Sequence, residues 1–151
     1  MASTICPKTR NSSLCWRLLK PMGSMDGPKL ANYTLSLSLT TAVEALRHAR
    51  QLEATNTTDP QLNKRYSECS RRFNSAVEGL EQGKEALATG GYVVLTFANM
   101  ASQSEADECL GYFKQPPPEP SSLPEKAKDL GDISDIAAWV SSILAGDDYG
   151  T

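Results

Sequence analysis

Residues 59–91 read DPQLNKRYSECSRRFNSAVEGLEQGKEALATGG, and this stretch decides the fold. Leu62, Tyr66, Cys69, Phe73, Ala76 or Val77, Leu80 and Leu87 recur by threes and fours, so they share one face of an α-helix. Asp59 is a good N-cap, Pro60 suits the first helical position, and Thr89-Gly90-Gly91 supplies the stop. The spacing predicts one helix of about eight turns with one apolar side.

The same period runs outward in both directions. Before this stretch, Leu35, Leu39, Ala42, Leu46 and Ala49 form a stripe that starts near Pro28 and closes in the polar run from Ala54 to Thr58. After the glycines, Tyr92, Leu95, Ala98, Ser102, Ala106, Cys109 and Phe113 form another, ended by the PPPEP at 116–120. A last stripe, beginning near Ser122, holds Leu123, Ala127, Leu130, Ile133, Ala137, Val140 and Leu144. Four long helices with short connections predict an all-α fold, an up-and-down four-helix bundle over residues 28–145. Residues 3–22, with Leu14, Trp16, Leu18 and Leu19 ahead of Pro21-Met22-Gly23, read as a small helical hairpin outside the bundle. Residues 146–151 read as a flexible tail, and 1–151 as one domain.

At 151 residues, 40% hydrophobic and 22% charged, the chain can build one core, and its net charge of −3 argues against nucleic-acid binding. No run approaches the length of a membrane span, and the opening MASTICPK lacks the apolar centre of a signal peptide. Asn11-Ser12-Ser13, Asn32-Tyr33-Thr34 and Asn56-Thr57-Thr58 match the N-glycosylation pattern and favour a secreted protein, although a Ser/Thr-rich chain also makes the pattern by chance.

The four cysteines admit a geometric test. With Gly90-Gly91 as a tight turn, Cys69 and Cys109 sit at nearly the same height on antiparallel neighbours, both on inward stripes. Cys6 and Cys15 face each other across the Arg10-Asn11 turn of the hairpin. The pairing this favours is Cys6 with Cys15 and Cys69 with Cys109. Closing loops of 10 and 41 residues would contribute about 2.7 and about 3.9 kcal/mol in the chain-entropy account. The separations, eight and thirty-nine intervening residues, fit neither a structural zinc site nor a redox C-x-x-C pair.

Other chemistry is hard to find. The only histidine, His48, lies in the charged run Arg47-His48-Ala49-Arg50 and reads as a surface helix position. No G-x-S-x-G, phosphate-binding glycine loop or H-E-x-x-H occurs, and the pairs Glu78/Glu81 and Glu105/Glu108 have the spacing of any solvated helix face. Lys64-Arg65 and Arg71-Arg72 read equally well as plain surface charge. A disulfide-stapled bundle without visible chemistry points to a binding protein that needs no cofactor or metal.

ICPKTRNSSLC at 5–15, DPQLNKRYSECSRRFNSAVEGLEQGKEAL at 59–87, YVVLTFANMASQSEADECLGYF at 92–113 and LGDISDIAAWVSSIL at 130–144 together resemble the plant invertase and pectin methylesterase inhibitor family. The resemblance covers nearly the whole chain and all four cysteine spacings. It implies a secreted plant protein of the apoplast or cell wall, with the same bundle, hairpin and disulfides. Such a protein is a monomer when free and binds its target enzyme one to one, blocking substrate access. The invertase branch typically carries Pro-Lys-Phe after the turn between the second and third bundle helices. Here that place reads Gly90-Gly91-Tyr92-Val93-Val94, which favours pectin methylesterase, as do ICPKTRN and DPQLNKRYSEC. Glu108-Cys109 and Gly111-Tyr112-Phe113-Lys114 look more like the invertase branch, so acid invertase stays the alternative target. An esterase pro-region-like chaperone module is a further alternative, expected to be followed by a basic processing segment that does not follow Ala145.

For the esterase, the resemblance places the outer faces of the second and third bundle helices in the pectin cleft. Helical phase puts Arg71, Ser75, Glu78 and Gln82 opposite Cys69 and Phe73, with Arg72 at their border, and turns Ser104 and Glu108 away from the core. Arg71-Arg72 departs from the acidic or small residues common in that branch. It would either meet carboxylates in the cleft or weaken the contact. Contacts through Glu78 and Glu108 would make the complex sensitive to pH.

Overall fold

The computed structural model describes residues 1–56, 58–116 and 119–146. Two short helices, α1 (Ala2–Ile5) and α2 (Ser12–Leu19), lead into four long ones, α3 (Gly27–Thr55), α4 (Pro60–Ala88), α5 (Tyr92–Tyr112) and α6 (Leu123–Leu144). Single 3₁₀ turns at Cys6–Lys8 and Lys20–Met22 extend the short helices. Each long helix packs on its sequence neighbour and α3 closes against α6, which completes the up-and-down four-helix bundle. Of the tail expected at 146–151, only Gly146 is among the described residues.

The helix ends follow the expected chemistry. Asp26 caps α3 by accepting from the Lys29 amide, with Pro28 in the first turn; Asp59 caps α4 by accepting from the amides of Gln61 and Leu62, with Pro60 at the first position. Between α4 and α5, Gly90 takes φ +75°, a left-handed conformation that favours glycine. The connection after α5 is held down by α4, where Arg65 donates to the carbonyls of Gln115 and Pro116 at 3.0 and 2.8 Å.

The stripes point inward. Leu35, Ala42, Ala49, Cys69, Phe73, Ala76, Leu80, Leu95, Ala106, Leu130 and Val140 are all at most 2% exposed. Both disulfides form in the expected pairing, Cys6 with Cys15 and Cys69 with Cys109, with Cα–Cα separations of 5.3 and 4.9 Å. The least anticipated helix is α6, which buries Gly131, Asp132, Ser134, Ala138, Ser141 and Ser142 in addition to its apolar stripe. It contacts α3, α5 and the N-terminal hairpin, so three of its sides are covered. Small hydroxyl residues suit the close approach of α5: Ser102 and Ser134 hydrogen-bond at 2.9 Å, as do Thr96 and Ser141.

The hairpin therefore does not stand apart from the bundle. Arg10 fastens it. Its Nη1 and Nη2 donate to the two carboxylate oxygens of Asp107 on α5, both at 2.9 Å, and its Nε donates to Asp132 on α6 at 2.8 Å. Its backbone amide donates to Asp135 at 2.9 Å. Asp132 also accepts from Asn11 at 2.9 Å and Lys128 at 2.7 Å. Gly131 leaves the space for this, since a methyl group there would overlap Nη2 of Arg10. Hydrogen bonding to Asp107, and then to Asp132, raises the pKa of Arg10 above its ordinary value. Burial pushes the Asp132 carboxyl upward, but the bonds from Asn11, Lys128 and Arg10 outweigh it and hold the group below its ordinary value; burial raises Asp135.

One reading of the hairpin needs correction. Leu14 and Leu19 are buried and Leu18 is half-buried, but Trp16 is 40% exposed and turned to solvent. His48 is half-buried rather than on the surface, and burial, followed by the charge of Lys126, lowers its pKa.

Arg10→Ala should cost about 2 kcal/mol, the scale of a charge-assisted hydrogen-bond set, and Gly131→Ala about 1–2 kcal/mol through overpacking. Thermal unfolding measures both, and faster amide exchange confined to the hairpin marks the site of loosening. The folded pKa of Asp132 lies below its ordinary 3.8, so its contribution is complete above that pH and is lost as pH falls through the lower folded value. Asp132→Asn should flatten that acid limb in a stability-against-pH series, while a limb unchanged by the substitution would contradict this account.

Candidate functional site

The outer faces of α4 and α5 are fixed against each other. Cys69–Cys109 sets their register, and the same register brings Arg72 to Glu105, with Nη1 to Oε1 at 3.2 Å. Nearer the turn, Gly83 lies under Leu95 and Ala98, close enough that an added methyl group would stand 3.1 Å from each. Helical phase then divides α5 into a buried side carrying Leu95, Asn99, Ser102, Ala106 and Cys109 and an outer side carrying Val93, Phe97, Ser104 and Glu108.

The expected contact residues fall as follows. Arg71, Ser75, Glu78 and Gln82 are exposed along the outer side of α4, and Ser104 and Glu108 along that of α5. Arg71 pairs with Glu68 one turn back, holding the Glu68 carboxyl below its ordinary range, and Glu78 accepts from Asn74 at 3.1 Å. Arg72 differs. Its side chain is 25% exposed and turned between the helices, with Nε 3.4 Å from the Tyr112 hydroxyl and Nη2 4.0 Å from Glu108. The hydrogen bond to Tyr112, and then that to Glu105, raises its pKa. The arginine pair is thus split: Arg71 faces outward, and Arg72 ties α4 to α5.

Periodicity missed an apolar patch. Val93, Val94, Phe97 and Met100 are 46%, 54%, 56% and 42% exposed. Phe97 sits on the outermost line of α5 with Val93 and Ser104, while Met100 leans toward α6 and lines a shallow hollow with Thr96, Gln103, Asp135, Ala138 and Trp139. The signal lay in YVVLTFANM, which is apolar around most of the helix circumference, where a bundle helix needs one apolar side.

The glycosylation matches differ in access. Asn32 is exposed on α3. Asn11 is half-buried, its side-chain oxygen accepting from the Leu14 amide and its nitrogen donating to Asp132, so a glycan on that nitrogen would displace the hairpin clamp. Asn56 is half-buried and donates to the Asp59 carbonyl at 2.9 Å. Among the described residues no group of three His, Cys, Asp or Glu side chains could hold a metal ion, and no helix is long and apolar enough to cross a membrane.

Comparison with known proteins identifies the family and the fold. The family model for plant invertase/pectin methylesterase inhibitor matches residues 1–148. The chain is 32% identical over 149 residues to a pectinesterase inhibitor of Actinidia deliciosa, spanning 97% of this chain and 80% of that one. It is 29% identical over 146 residues to pectinesterase inhibitor 2 of Arabidopsis thaliana, spanning 93% and 82%. The crystal structure of a mutant form of an Arabidopsis pectin methylesterase inhibitor superposes with a TM-score of 0.87 at 29% identity, covering 94% of this chain and 95% of that one. A second Arabidopsis pectin methylesterase inhibitor structure gives 0.76 at 29% identity, covering 95% of each chain. This disulfide-stapled four-helix bundle, matched nearly end to end by the family model and by named relatives, belongs to the plant invertase/pectin methylesterase inhibitor family.

Proposed function

We propose that this protein inhibits a pectin methylesterase by laying the outer faces of α4 and α5 into the enzyme's substrate cleft, one inhibitor to one enzyme. The observation that carries the reading is the exposed surface on a disulfide-locked helix pair. Phe97, Val93 and Met100 supply apolar area, and Ser104, Glu108, Arg71, Ser75, Glu78 and Gln82 supply polar contacts around it. An apolar centre with a polar rim is the usual anatomy of a protein interface. A locked pair loses little conformational freedom on binding, which favours affinity. Blocking the cleft needs no chemistry from the inhibitor, in keeping with the residues on this face.

The named relatives support the esterase as target, each being called a pectinesterase inhibitor. Because the family also includes invertase inhibitors, acid invertase is the competing target. Action outside the cell, in the apoplast or wall, accords with two disulfides in a small domain and with an exposed glycosylation match at Asn32.

Phe97→Ala should raise the inhibition constant for pectin methylesterase about thirtyfold, the effect of losing a central aromatic anchor worth about 2 kcal/mol, while leaving thermal stability nearly unchanged. Equal inhibition by the variant would remove α5 from the interface. Inhibition assays against pectin methylesterase and acid invertase, run side by side, should give inhibition of the esterase alone. Inhibition of invertase alone would overturn the proposed target.

A further inference from the structure

The N-terminal hairpin carries a second surface that the enzyme-facing side does not use. Ser13, Trp16, Arg17 and Lys20 are spaced i, i+3, i+4 and i+7 and are all exposed, so they form one solvent-facing side of α2 and the turn that extends it. They span about 10 Å. Beneath them Leu14, Cys15 and Leu19 are buried, and the Cys6–Cys15 bond and the Arg10 clamp hold the helix against the bundle. Trp16 is thus an exposed ring on a rigid support. Arg17 and Lys20 make no side-chain hydrogen bond or ion pair among the described residues.

Charge is segregated along the chain. Residues 1–25 contain Lys8, Arg10, Arg17 and Lys20 and no Asp or Glu, whereas the remainder holds 11 Lys or Arg against 18 Asp or Glu. Arg10 is neutralised by Asp107 and Asp132, and the Lys8 ammonium lies over the Trp139 ring at 5.3 Å. The α2 side offers to solvent an indole flanked by an arginine and a lysine, in a segment without acidic residues on a chain whose remainder carries more acidic than basic residues.

We propose that this side of α2 binds the de-esterified stretches of pectin, chains of galacturonate with free carboxylates. The proposal rests on the reading that the target is a pectin methylesterase, because that enzyme's product is this polyanion. The chemistry matches group by group. The indole face stacks on the C–H-rich face of a pyranose ring, the guanidinium of Arg17 forks a uronate carboxylate, and the Lys20 ammonium meets a neighbouring one. Methyl-esterified pectin has the same rings without the charges, so the surface distinguishes product from substrate. No residue is shared with the α4–α5 face, and the inhibitor would be concentrated where de-esterification has already occurred.

The test is calorimetric titration of the full chain with an oligogalacturonate of defined length, with the same oligomer fully methyl-esterified, and with dextran sulfate. The expected result is binding of the oligogalacturonate, at least about tenfold weaker binding of the ester, and a loss of about tenfold or more in Trp16→Ala and in Arg17→Gln. Inhibition of pectin methylesterase by both variants should be unchanged. Absence of oligogalacturonate binding, equal binding of the ester, or binding indifferent to Trp16→Ala with dextran sulfate bound as well would each overturn the proposal. Wild-type inhibition measured in parallel separates the two readings. Lost sugar binding with inhibition intact defeats this one alone, and absent inhibition defeats the proposed target.

Discussion

The register of α4 against α5 is the constraint from which the functional face follows. A single covalent bond, Cys69–Cys109, joins the two helices at 4.9 Å between Cα atoms, and helix geometry carries its effect in both directions. Toward the turn from it Arg72 reaches Glu105, and further along Gly83 lies beneath Leu95 and Ala98. A slip by one residue would break the Arg72–Glu105 pair and crowd the close contact of Gly83 with Leu95 and Ala98. The outer residues, from Arg71 to Gln82 and from Val93 to Glu108, are carried on a support whose shape is set before any partner arrives.

A second fastening, electrostatic rather than covalent, attaches the hairpin. Arg10 satisfies one carboxylate on each of two helices while its own backbone amide satisfies a third, and Asp132, 4% exposed, is surrounded by donors from three directions. A buried carboxylate without those donors would be destabilising, so hairpin and α6 are mutually dependent. This explains why α6 carries Gly131 and Asp132 on a side that a simple amphipathic helix would expose. It also explains why a cationic segment and an acidic bundle share one chain, since their attraction favours the docked arrangement.

The molecule thus presents two exposed aromatic surfaces of different character. Phe97 lies among apolar neighbours on a long helix, suited to the concave surface of a protein. Trp16 lies between cations on a short one, suited to an anionic sugar. Neither ring contributes to the core; Trp16 adjoins the Cys6–Cys15 bond, and Phe97 stands on a helix that the Cys69–Cys109 bond ties to α4.

Much of the architecture was legible in the residues. The start near Pro28, the cap at Asp59, stops at Gly90 and before the prolines, and the threes and fours of leucine and alanine are local features, and local chemistry suffices to place helices and their inward sides. Cysteine spacing added the register, because a tight turn converts position along the chain into height along the bundle. The second, third and fourth sides of α5 and α6 were not legible. Nothing in LGDISDIAAWV announces that a hairpin from the other end of the chain covers it, and nothing in YVVLTFANM says which apolar residues remain uncovered. Arg71 and Arg72 are adjacent and chemically identical, yet one faces solvent and the other bridges two helices, since a 100° step is enough to change its neighbours. The sequence by itself determined the helices, their order and their covalent ties; the tertiary structure alone decided which charges are neutralised and which aromatic rings stay free, because burial and pairing depend on what distant segments bring alongside.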